Sequence, residues 1–505
     1  MQEVRRKKVI SIRWRAWLPL IVRVLAIVGL IAGLIYVGIS YYRNRNNEPF
    51  RMRGEAPELS SQVTGILEGY ERRVTDGDRL RLLVRADRDI TFSDNHHELE
   101  EVHLEVYPPT GDKPDQISAH RAIYLPNENN SNQARIWFAG DVQIETRDGL
   151  HARTEKIEYD QAKEIGETAL PITFERENVS GRATGAMLDA KNKRLELHKD
   201  VEITVAPETK AAGSPKPDAR SKPVTIRAGH GLFEQAQMRL VFSGGATAEQ
   251  EHDVMSGDQL TATLSAQKRV QKIETRGNSF LRSLEEGHAA EIYAADMNFI
   301  LDNDQKLQHA DAVRDVRARS LNADSQMELT GGSALDADFQ AQGQRSLLKE
   351  IRTTGRSILT LAAPQSHAND PRAANKRLTA DTVKLIWRAS GNDLESASAT
   401  GNAELVVEPV QKTAKADRKT LTAQGFLCEF YETGNIAKQF TASGGEVKAV
   451  LDPLQPSEDR GQRTLTAEKM IASFVRETQD IEQLDAQGDA KFNELDRNGR
   501  AQNAL

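Results

Sequence analysis

The chain has 505 residues, 38% of them hydrophobic and 5% aromatic, with a net charge of −7. Length of this order implies roughly two to four domains. A single cysteine excludes an intramolecular disulfide and a cysteine-based metal site, and the acidic balance argues against nucleic-acid binding.

The charge is unevenly spread. Residues 1–53 carry eleven Lys or Arg against Glu3 and Glu48, a net of +9, which leaves −16 on the remainder. Within that basic head, residues 17–42 read WLPLIVRVLAIVGLIAGLIYVGISYY, with Arg23 the one charge. A bilayer is spanned by about 20 apolar residues, and Arg23 can snorkel to the near interface. Trp17 at one end and Tyr41 and Tyr42 at the other suit interfacial belts. A cleavable signal has a shorter apolar region, roughly 7–15 residues, and a small-x-small site, which this run lacks. The pattern predicts a cytoplasmic basic tail (1–16), one transmembrane anchor helix (17–42) and a juxtamembrane linker (43–62). Six positive residues precede Trp17 and four follow Tyr42, which places the N-terminus in the cytoplasm and the body across the membrane.

Beyond residue 62 apolar residues alternate with polar ones, the period of a half-buried strand. Ile136 and Phe138, Val142 and Ile144, Ile157 and Tyr159, Ile172 and Phe174, Leu195 and Leu197, and Val201 and Ile203 are in phase. These twelve are the candidate lining of an interior face. Gly, Asn or Asp follows each short run, Ala139-Gly140-Asp141 among them, and is read as a turn. Such signals every 10–12 residues or so indicate an all-β body of stacked antiparallel strands. At that spacing the body would be elongated.

The last third repeats. LTADTVKLIW begins at Leu378, LTAQGFLCEF at Leu421 and LTAEKMIASF at Leu465, and Gly401, Gly444 and Gly488 each stand 23 residues later. Cys428 falls in an alternating column with Phe426 and Phe430 and reads as core filler rather than a reactive thiol. Residues 206–223 hold four prolines and no strand pattern. They read as a linker between a first β unit (63–205) and a second (224–505).

Catalytic chemistry finds no foothold. His96, His97 and His103 lie among acids, but adjacent histidines on a strand point to opposite faces, so solvated turn histidines are expected. Asp302-Asn303-Asp304 lacks the Gly and terminal Glu of a calcium loop and reads as a hairpin turn. No nucleophile elbow, zinc-protease or phosphate-loop motif occurs. No enzyme activity, cofactor or metal is expected. What remains is a surface: stacked strands have one apolar face, which either packs dry on itself or forms a trough for an acyl chain.

The region from about 63 to 206 resembles the LptC family of lipopolysaccharide-export proteins. The likeness lies in LLVRADRDITFSDNHHELEEVHLEVY, the Ala-x-x-Ala-x-Tyr of ISAHRAIYLP, FAGDVQIETRDGLHARTEKIEYD, LPITFE and GRATGAMLDAKNKRLELHKDVEITV, directly after a single anchor. The second unit resembles LptA or OstA-like repeats in LTAQGF, ASGGEV, LTAEKM and AQGDAK. The resemblance implies an incompletely closed β-jellyroll whose groove carries lipopolysaccharide or a similar glycolipid. It also implies two partners: an inner-membrane ABC transporter complex, and a periplasmic bridge or outer-membrane assembly protein that docks by edge-strand addition. The chain is longer than a typical LptC, which ends after one β unit. The rival expectation is a membrane-tethered β-solenoid scaffold with a dry core.

Overall fold

The computed structural model describes residues 61–502, except 109–112, 127–133, 207–221, 286–287, 323–325, 344, 364–372, 392, 414–415, 456–459 and 496–500. The anchor predicted for 17–42, with Trp17, Arg23, Tyr41 and Tyr42, lies outside the described residues, as does most of 206–223. Every regular element described is a strand, and no described helix is long and apolar enough to cross a membrane.

A meander opens the sheet: β1 (Val63–Asp76), β2 (Arg79–Phe92), β3 (His97–Val106), β4 (Asp115–Leu125), β5 (Arg135–Glu145), β6 (His151–Asp160), β7 (Ile165–Arg176), β8 (Val179–Asp189) and β9 (Arg194–Val205). Each pairs antiparallel with the next. Two short strands, β10 (Val224–Ala228) and β11 (His230–Glu234), both pair with β9 and form the two halves of one bent rung. Four long strands follow: β12 (Arg239–Gln250), β13 (Asp253–Leu264), β14 (Val270–Glu285) and β15 (His288–Leu301).

The next rungs are also split at a bend. Their halves are β16 (Leu307–Val313) with β17 (Arg317–Asn322), β18 (Gln326–Gly331) with β19 (Ala334–Gln342), β20 (Arg345–Thr354) with β21 (Ser357–Ala362), and β22 (Ala374–Ala380) with β23 (Thr382–Trp387). Long strands resume with β24 (Leu394–Pro409), β25 (Asp417–Phe430), β26 (Ala437–Pro453) and β27 (Arg463–Phe474), before β28 (Ile481–Gln487), β29 (Lys491–Leu495) and β30 (Ala501–Gln502). Among the described residues β1 pairs with β2 alone and β30 with β29 alone, so the ladder has two ends.

Two sequence expectations need correction. Ala139-Gly140-Asp141 is not a turn between strands. It is a bulge inside β5, where the register with β6 shifts between Ala139 and Val142, and Gly140 and Asp141 both have positive φ. An extra residue in one strand bends it and sharpens its twist. The stretch 206–223 does not interrupt the sheet either: Val205 pairs with Val224 and Val201 with Ala228 across it. One buried cluster also joins Ile203 of β9 to Phe242 of β12 and Leu260 of β13.

The same bend explains the repeat. The 43- and 44-residue spacing is one hairpin of two rungs, and the glycine marks where the second rung turns its corner. Gly401 and Asn402 have φ of 81° and 46°, a region that costs a non-glycine residue free energy. Space is short as well. A methyl group on Gly401 would lie 2.5 Å from Asp381 Oδ2 and 2.7 Å from its Cβ, and one on Gly444 would lie 2.8 Å from Gln424 Cβ. Asp381, Gln424 and Glu468 are the residues that follow the three Leu-Thr-Ala triplets, so the motif and its distant glycine are the two sides of one corner.

This corner can be tested by substitution. Gly343 has φ of 58° with nothing within 4 Å of an added Cβ, so Gly343→Ala carries conformational strain alone, about 1 kcal/mol. Gly401→Ala adds the clash with Asp381 and is expected to cost roughly 2–4 kcal/mol. Urea unfolding of both variants checks the order. Equal losses would mean the close approach is relieved at no cost.

Candidate functional site

Backbone pairing lines up one inward residue from every rung. One column starts at Arg72 and runs through Val84, Leu104, Ile117, Ile144, Ala152, Phe174, Gly181 and Ile203. It crosses to Ile226, Ala248, Met255, Leu281, Ile292, Ala318, Leu329 and Leu359. It ends through Leu378, Leu405, Leu421, Ala449, Leu465 and Phe492. Every member after Arg72 is apolar or glycine.

The other half of each bent rung supplies a second column. It begins with Thr91, His97, Tyr124, Ile136, Tyr159, Gly166, Leu188 and Leu195. Phe233, Leu240, Ala262, Ile273, Phe299, Ala310, Ala337 and Ile351 follow, then Leu385, Ala397, Cys428, Phe440, Ala472 and Leu484. The two halves face each other: Val84 and Leu104 of the first column share a buried cluster with Tyr124 and Ile136 of the second, and the Arg72 guanidinium lies 5.0 Å from the Tyr124 ring centre.

Burial is graded from the bend outward. Beside the corners Ala403, Ala423, Val447 and Ala467 are buried, as are Ala399, Ala442 and Phe426 opposite them. Two positions further along the strands, Leu405, Leu421, Ala449 and Leu465 are only half-buried, and so are Ala397, Cys428 and Phe440. The interior is buried along its floor and carries half-buried apolar side chains along its sides.

All twelve residues picked out by alternation are buried or half-buried in the apolar clusters. Ile136, Phe138, Val142, Ile157, Ile172, Leu197, Val201 and Ile203 are buried, while Ile144, Tyr159, Phe174 and Leu195 are half-buried against the same clusters. Their neighbours Gln143 and Thr173 are exposed. Burial pushes the Tyr159 phenol well above its usual range. Cys428 takes the second column as expected, and burial pushes its thiol up to about 11. Asp302-Asn303-Asp304 makes the β15–β16 hairpin, with Asp302 Oδ1 accepting from the Asp304 and Lys306 amides at 2.8 Å.

The expectation of solvated histidines fails at His96, which is 1% exposed. Its ring stacks on Phe92 at 4.2 Å, and its Nδ1 lies 2.5 Å from Asp94 Oδ1. His97 turns inward to Asp89, itself 3% exposed, with Nδ1 at 2.9 and 3.0 Å from the carboxylate oxygens. Among the described residues no group of His, Cys, Asp or Glu is arranged to hold a metal. Arg72 was not singled out from the sequence, although Tyr70, Arg72 and Val74 alternate and so put the cation on the inward face.

The described residues thus form an all-β, bent antiparallel ladder with two facing columns of mainly apolar residues. The family model for lipopolysaccharide assembly, LptC-related, matches residues 28–206. No curated protein matches the chain significantly. The family match stops one residue past β9, whereas the ladder and both columns continue into the second unit.

Cys428 reports on the interior. The thiolate is the reactive form, and its raised pKa leaves little thiolate at pH 8. Folded protein should react with Ellman's reagent at least about tenfold more slowly than protein unfolded in guanidinium. Equal rates would place the sulfur in contact with bulk water.

Proposed function

We propose that the chain is an envelope carrier that passes lipopolysaccharide or a similar glycolipid along its trough. The 17–42 segment anchors it in the inner membrane, with the N-terminus cytoplasmic and the body periplasmic. An ABC transporter complex loads the β1 end, and the cargo leaves toward the outer membrane. The trough is incompletely closed, with the mouth opposite the bend. One observation carries this reading: the first column is apolar or glycine from β2, and the second from β4, through to the last rungs, half-uncovered away from the bend. Each methylene laid against them contributes about 0.8 kcal/mol, and the LptC-related segment supports lipopolysaccharide as the source of the acyl chains.

The ladder's two ends support docking by strand addition. Ile66 and Leu67 of β1 are 57% and 53% exposed, and Ile481 and Leu484 of β28 are 54% and 51% exposed. Unpaired edges with exposed apolar side chains template a partner strand. On this reading β1 meets the transporter complex, and β28 meets a bridge or outer-membrane assembly protein.

Site-specific photo-crosslinking in cells that make the glycolipid tests the carrier. Probes at Ile144, Phe174 and Leu421 should capture glycolipid, whereas probes at Gln143 and Thr173 should not. Capture at Leu421 is the demanding result, because it requires cargo on the second unit. Equal capture on both faces would refute the trough. No capture at any inward site would favour the dry-cored scaffold.

A further inference from the structure

The β1 end of the trough differs from the rest of it. Both columns become polar there: Arg72 opens the first, and Thr91 and His97 follow Gly65 at the start of the second. Arg72 is half-buried and points between the facing halves. Its guanidinium stands over the Tyr124 ring and hydrogen-bonds the Tyr70 hydroxyl, and among the described residues no carboxylate forms an ion pair with it. The nearby Asp89 is already engaged, held by His97 and by a hydrogen bond from Thr91 Oγ1 at 3.2 Å. Tyr124 adds an independent sign. It is fully buried, yet its hydroxyl has no hydrogen-bond partner among the described residues. A buried hydroxyl without a partner costs roughly 1–3 kcal/mol, which an acceptor admitted beside Arg72 would recover.

The geometry points to an anion subsite formed by Arg72 and the Tyr124 hydroxyl, which takes the phosphate or carboxylate of an amphiphile whose apolar part lies on the adjoining columns. Guanidinium and phenol are both donors to an oxyanion, and charge-assisted bonds of this kind are the strong ones. Val84 and Leu104 follow Arg72 on one side, and Ile136 follows Tyr124 on the other. An anionic head at the β1 end would therefore place its chains on the start of both columns. The subsite rests on the trough reading above and adds head-group polarity to it.

Binding to the full-length protein tests the subsite, read as displacement of the neutral fluorophore N-phenyl-1-naphthylamine. The competitors are decyl phosphate, decyl maltoside and inorganic phosphate, each below its micellar concentration where it forms micelles. Decyl phosphate should compete best. Arg72→Gln should weaken it about tenfold or more while leaving decyl maltoside unchanged, and Arg72→Lys should restore part of the loss. Tyr124→Phe should weaken decyl phosphate too, yet leave thermal stability unchanged or higher, because it removes an unpaired buried hydroxyl. That combination excludes a purely structural role. Decyl phosphate affinity untouched in both the Gln and the Phe variants would overturn the subsite and leave the trough standing. Inorganic phosphate matching decyl phosphate would overturn the amphiphile assignment. Failure of both decyl compounds to bind would refute the trough and the subsite together.

Discussion

Everything in this molecule depends on how an extended backbone is made to fold over on itself without losing its hydrogen bonds. Each rung runs out along one half, bends, in many rungs at residues of positive φ such as Gly401 and Gly444, and returns along the other half, while pairing to neighbouring rungs is kept on both sides. Side chains in a strand alternate between faces, so one bend per rung brings the apolar face opposite itself. The core is thus formed within each rung and its neighbours rather than by distant parts of the chain. That makes the architecture extensible. The second unit adds rungs to the first, and the pairing of β9 with β10 and β11 shows the addition occurring directly across the Pro-rich stretch.

Alternation was legible because it belongs to the single strand: Ile136, Phe138, Ile172 and Phe174 reveal their face from near neighbours alone. The bends were not. A chain reversal and a bulge both call for residues that tolerate positive φ, so Ala139-Gly140-Asp141 looks the same locally in either role. Only the pairing of Phe138 with Ile157 and of Val142 with Thr154, which are long-range, separates them. The repeat was visible as spacing, but its cause was not, since Asp381 and Gly401 meet only once the hairpin closes. The burial of His96 is hidden from the sequence for a related reason. A polar, turn-rich context predicts exposure, whereas stacking on Phe92 depends on how the β2–β3 connection packs. The columns lay furthest from reach, because they require the register of every strand pair at once.

The two ends of the ladder are chemically unlike. At the first end Arg72, Tyr70, His97 and Tyr124 give the interior a polar lip. At the last rungs the columns finish in Phe492 and Leu484, which are 45% and 51% exposed, so the apolar surface runs to the edge of the sheet. A further copy of the same architecture placed against that edge would continue both columns rather than end them. On the carrier reading, a polar lip at one end and apolar columns running to the edge at the other would give the track two chemically distinct ends.

On the carrier reading, the uniformity of the columns also limits what a trough of this kind can do by itself. Between Leu378 and Leu465 the first column is built from leucine with one alanine, and moving an acyl chain by one rung, about 4.8 Å, exchanges one aliphatic contact for another of nearly equal worth. Burial of the chain then holds the cargo on the track without fixing it at a position. Such a surface lowers the cost of leaving the membrane and offers little resistance to sliding, but it has no direction of its own. On the carrier reading, net movement has to come from loading at the β1 end and removal at the other, with the trough supplying the path between them.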